Sequence, residues 1–201
     1  MAARMPLDGE LRALSRLFSY PETWPRAGDL EVLDPETRKK WEEPGPGALE
    51  ALQNQYVSLF INALPEVPCP PFGSVYLEGT VMGESTVEVR KLYAKYGLAT
   101  DEIPDHIAVE LEFLRFLADP KVHADPADYQ TLLAHLRNWT PGFLERINQN
   151  DPSGFYKAVS RRAKVIFRDT KSRKKPLSIR RTAHVKKARV QHTGLTRGRQ
   201  D

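Results

Sequence analysis

The chain has 201 residues, 40% hydrophobic and 28% charged, with a net charge of +4; this is the composition of a globular domain large enough to bury a core. One cysteine, Cys69, excludes an internal disulfide framework and any multi-cysteine metal site, and no apolar run approaches the roughly 18 residues of a membrane span or the pattern of a secretory signal. Residues 1–167 carry 18 basic and 24 acidic side chains, a balance of −6, whereas residues 168–201 carry 12 and 2, a balance of +10. An acidic body with a basic tail, made and kept in the cytoplasm, is the expectation.

Leu7, Leu11, Leu14 and Phe18 recur at helical spacing and mark a first amphipathic helix ending near Ser19-Tyr20-Pro21. Asp34-Pro35 opens a second with a capping carboxylate and a proline at its first position, and Pro44-Gly45-Pro46-Gly47 closes it. Leu49, Leu52, Tyr56, Leu59 or Phe60, and Leu64 form the next stripe. Prolines 65, 68, 70 and 71 then remove backbone donors, so residues 65–83 are expected to be irregular. Phe72, Val75, Tyr76 and Leu77 in that loop still need burial. They either pack on the core or line a groove. Ser85-Thr86-Val87-Glu88 predicts a capping box, with Gly97 ending its helix.

The most apolar helix follows. Ile107, Leu111, Leu114 and Leu117 form its stripe, and Val109, Phe113 and Phe116 widen it, which predicts burial on more than one side. Pro104 suits its first turn, and Asp101, Glu102 and Asp105 crowd its positive end. On physical grounds alone, Glu102-Ile103-Pro104-Asp105-His106 reads most simply as a well-charged helix start. It also reads as a site for a guanidinium, which carboxylates bind through a planar fork. Asp119-Pro120 closes this helix. Asp125-Pro126, Thr140-Pro141 and Asp151-Pro152 predict three more starts, with Trp139 in the turn between the first two. The outcome is seven or eight helices, no convincing strand and no repeat: an all-α, compact, bundle-like domain.

Three motifs occur in order: Gln55-Tyr56-Val57-Ser58-Leu59-Phe60, then Pro70-Pro71-Phe72-Gly73-Ser74-Val75-Tyr76-Leu77, then Glu102-x-Pro104-Asp105-His106 followed by Ile107-Ala108-x-Glu110-Leu111-x-Phe113-Leu114. Together they resemble the TorD/DmsD/NarJ family of molybdoenzyme maturation chaperones, over residues 7 to 168. The resemblance implies an all-helical fold of the TorD type, domain-swapped homodimers in some members, and a non-enzymatic cytoplasmic role. Its partners would be the twin-arginine signal peptide and the apo-enzyme of a molybdenum or tungsten oxidoreductase, held until the cofactor is inserted. On this reading Asp105, with Glu102 nearby, takes a guanidinium, with His106 beside them. Phe72, Val75 and Tyr76 cover the apolar run, and Pro70 and Pro71 stiffen the wall. Pro104, Ser74, Tyr56 and Phe60 complete the expected client-binding set.

Residues 1–168 are thus expected to form one chaperone domain and 169–201 a disordered basic tail, too charged to offset the cost of ordering. A nucleic-acid-binding protein acting through that tail is the alternative, although the tail lacks aromatics for base stacking. Ser178-Ile179-Arg180-Arg181-Thr182 loosely resembles a twin-arginine motif and suggests a pseudosubstrate. No phosphate loop, no His-Glu-x-x-His and no nucleophile elbow occurs, so neither cofactor, metal nor catalytic residue is expected.

Overall fold

The structure, a computed structural model, describes residues 7–169. The boundary expected near residue 169, and the tail beyond it, lie outside the described residues. The helices are α1 (Leu7–Leu17), α2 (Ala27–Leu30), α3 (Pro35–Glu42), α4 (Ala48–Tyr56), α5 (Gly73–Glu78), α6 (Glu84–Lys95), α7 (Ile107–Ala118), α8 (Pro126–Asn150) and α9 (Phe155–Asp169). No strand occurs among the described residues.

The apolar helix is the centre, as its wide stripe predicts. Ile107, Leu111 and Leu114 of α7 are fully buried. Helix α1 lies along one side of it and α8 along another; α9 packs on α8 and reaches back to α1. Leu11 and Leu14 supply the apolar face of α1. Ser15 Oγ donates to the Ala108 carbonyl at 2.8 Å, fixing the register of α1 on α7. An Arg162–Glu10 ion pair ties α9 to α1. The cap expected at Asp34 is present: its carboxylate accepts from Thr37 N at 2.9 Å.

Three local expectations are corrected. Residues 126–150 form one helix, not two broken at Thr140-Pro141. Pro141 denies the Arg137 carbonyl its helical donor, but Trp139, Thr140 and Phe143 around it are all buried, and their packing outweighs the local penalty. The expected capping box at Ser85 is replaced by a tertiary cap. The Glu78 carboxylate accepts from Glu84 N at 2.5 Å and Ser85 N at 2.8 Å. The proline-rich loop is not irregular throughout, since it contains the short α5. Upstream, α4 continues into a π-helical turn, Val57–Ile61, where Asn62 N donates to Val57 O at 2.9 Å. Cys69 is buried, and burial pushes its thiol up to about 12, so it is a packing residue and no nucleophile.

Candidate functional site: a groove at the start of α7

The two proline-containing motifs meet in space. Ile107 N donates to the Pro71 carbonyl, and Gly73 N to the Asp105 carbonyl, both at 2.9 Å. Phe72 and His106 thereby form an isolated antiparallel bridge. The Asp105 carboxylate also accepts from Ser74 N at 2.7 Å, which satisfies an orphan donor at the start of α5. His106 caps α7: its Nδ1 accepts from Ala108 N at 3.1 Å. Pro104 therefore precedes the helix and does not open it. Its carbonyl accepts from Tyr93 Oη at 2.7 Å.

Beneath this clamp lies a closed polar cluster. Gly73 lets the backbone approach closely there: a Cβ would sit 3.0 Å from Trp139 Nε1 and 3.1 Å from His135 Nε2, so both side chains would have to give way slightly. Trp139 Nε1 donates to Glu110 Oε2 at 3.1 Å. His135 Nε2 lies 2.7 Å from Glu110 Oε1, as a close ion-pair contact without the alignment of a good hydrogen bond. Glu110 is fully buried, and that burial raises its pKa to about 7 against the opposing pull of His135. Burial alone lowers His135, but the Glu110 carboxylate beside it carries the net shift upward. His106 moves the other way, to about 4, because burial outweighs the charge of Asp105.

On the opposite side of the clamp a groove of about 610 Å³ opens to solvent, within the size range of ligand sites. It collects six of the residues singled out from the sequence: Tyr56, Phe60, Pro71, Phe72, Glu102 and His106. Pro70, Ser74, Tyr76, Pro104 and Asp105 do not line it. Asp105 is the main correction. It is fully buried and turned towards Ser74 N, so it is not placed to meet a guanidinium from solvent. Tyr76 stacks on Trp139 with ring centroids 5.7 Å apart, and Arg146 covers it at 5.3 Å.

The groove also uses residues that sequence reasoning did not place there. Tyr20, Ile61 and Leu98 line it and remain exposed. Tyr20 meets Tyr56 edge to face at 5.5 Å. Val109, Glu112 and Phe116 bring a second face of α7 into it; Val109 and Phe116 were visible as the widening of the stripe, read there as burial, and Glu112 was not. Nothing in the sequence pointed to Tyr20 or Leu98, which follow helix ends. The two rim carboxylates differ. Glu112 contacts Arg115 at 2.6 Å, and Arg115 also holds Asp8 at 3.0 Å. Glu102 is exposed and has no cation partner among the described residues.

An all-helical body with an aromatic groove and one free carboxylate at its rim suits a chain segment that presents an apolar side and a cation. Comparison with known proteins gives the lineage. Residues 27–145 match the model of the nitrate reductase delta subunit family, and the chain belongs to that family. A Haemophilus influenzae protein assigned as the Tat proofreading chaperone DmsD is 30% identical over 162 residues, 77% of each chain. Its Salmonella typhi namesake is 29% identical, covering 78% of this chain and 84% of that one. The chaperone TorD of Vibrio cholerae is 30% identical over 118 residues, so this chain spans about half its length (52%). A solved structure from Archaeoglobus fulgidus, assigned as a redox enzyme maturation protein, aligns with a TM-score of 0.62 and 29% identity, covering 85% of this chain and 98% of that one. No helix among the described residues is long and apolar enough to cross a membrane.

Proposed function

We propose that this protein is a cytoplasmic, non-enzymatic chaperone that holds the twin-arginine signal peptide of a molybdopterin oxidoreductase until its cofactor is in place. The groove at the start of α7 is the observation that carries the reading. The naming of its relatives as Tat proofreading chaperones supports the class of client. In the groove, Phe72, Phe60 and Tyr56 receive the apolar run of the peptide. Glu102 takes a guanidinium, in place of the buried Asp105. Pro71 stiffens the groove wall, and Pro70, Ser74, Pro104 and Asp105 act one layer back: they hold Phe72 and His106 in place and lower the ordering cost of binding.

Calorimetric titration with a twin-arginine signal peptide, beside the same peptide carrying two lysines, tests this. The arginine peptide should bind in the micromolar range, and the lysine peptide roughly tenfold more weakly, since lysine cannot form the bidentate pair. Absence of binding by either peptide would remove the signal-peptide reading.

A further inference from the structure

The chain's basic C-terminal segment follows α9, the helix whose start packs against the groove. Tyr156, at the start of α9, packs edge to face on Phe60 with ring centroids 4.9 Å apart, and Phe60 lines the groove. From Tyr156 the helix runs 13 residues to Asp169, roughly 20 Å of rise. Arg180 is 11 residues farther on. Eleven residues can span at most about 36 Å. That reach exceeds the roughly 20 Å back to the level of Tyr156, so chain length does not keep the arginine pair from the groove.

Charge points the same way. Residues 1–167 have a balance of −6 and residues 168–201 one of +10. The rim carboxylate Glu102 is exposed and without a cation among the described residues. The tail carries an arginine pair after a serine, Ser178-Ile179-Arg180-Arg181, but no long apolar run follows it, so its own affinity is weak and a client can displace it. Resting on the signal-peptide reading of the groove, we propose that residues 178–182 occupy the empty groove, with one arginine of the pair against Glu102, and compete with the client's signal peptide. A tail seated about 80% of the time raises the apparent Kd of the peptide about fivefold.

The test uses the full chain. Cys69 is fully buried, so a spin label on Ala183→Cys modifies the tail selectively. The label should broaden the amides of Ile61, Phe72 and Val109 in the groove, and Arg180→Ala/Arg181→Ala in the same chain should remove the broadening. The same double substitution should tighten binding of a twin-arginine peptide about fivefold. Absence of broadening would overturn the proposal whatever the peptide does. Broadening with an unchanged peptide Kd would overturn the competition. If neither protein binds the peptide, the signal-peptide reading falls, while broadening that depends on the arginine pair would still place the tail in the groove.

Discussion

The two sides of the Pro70–Ser74 clamp face opposite environments with residues of similar type. The inner side buries two acids, Asp105 and Glu110, and brings His135 and Trp139 against Gly73. The outer side exposes Glu102 beside Phe72 and His106 in an open groove. Carboxylates on the inner side face protein groups: Asp105 Oδ2 accepts from Ser74 N, and Glu110 meets His135 and Trp139. The carboxylate on the outer side is available. The same residue types are thus buried and bonded within the fold or left open to solvent according to which side of one bridge they fall on.

This contrast can be broken most forcefully at Trp139. Trp139→Ala removes a fully buried indole and a donor to Glu110, and should lower unfolding free energy by about 3–5 kcal/mol in urea titrations. Asp105→Ala comes next. Losing the bond to Ser74 N should destabilise the fold by roughly 2 kcal/mol, with peptide affinity following only through the fold. A normal stability with selectively weakened peptide binding would move Asp105 to the outer side.

The pH dependence sharpens the same division. Glu110 is raised to about 7, and His135 is raised as well, so the folded state binds more protons than the unfolded chain. The contribution of Glu110 is full at low pH and is lost as pH rises through about 7; that of His135 is lost above the ordinary histidine range. His106 is lowered to about 4; its contribution is present above about 6.5 and is lost as pH falls towards 4. Between about pH 4.5 and 6.5 the two trends oppose each other, so stability should be nearly level there and fall on either side. Glu110→Gln should flatten the alkaline arm by on the order of 1–2 kcal/mol. His106→Asn keeps a capping acceptor and should flatten only the acid arm. Thermal unfolding across pH 4 to 9 reads both.

The smallest effect on the fold belongs to the outer side. Glu102→Gln should leave stability within about 0.5 kcal/mol while weakening a twin-arginine peptide about tenfold, or roughly 1.4 kcal/mol. Equal binding by the variant would move arginine recognition away from Glu102.

Helix starts with local caps were legible at Asp34 and Asp125, because side chain and backbone there are two or three residues apart. The capping box at Ser85 was misread because its acceptor, Glu78, comes from the preceding helix. The break expected at Pro141 was overridden by burial of its neighbours. Of the candidate site, the aromatic members Tyr56, Phe60 and Phe72 and the rim acid Glu102 were legible as types within motifs. The inward turn of Asp105 was not.

By itself, the amino-acid sequence determined an all-helical domain centred on residues 107–117, because apolar periodicity and the scarcity of strand signals are local properties that every folded arrangement must respect. Only the tertiary structure decided which acid is buried, which is exposed, and that Tyr20, Ile61 and Leu98 join the groove. Those assignments depend on contacts between residues some 30 to 100 positions apart, such as Ser74 with Asp105 and Ser15 with Ala108. No local pattern encodes the side of the bridge on which a carboxylate comes to lie.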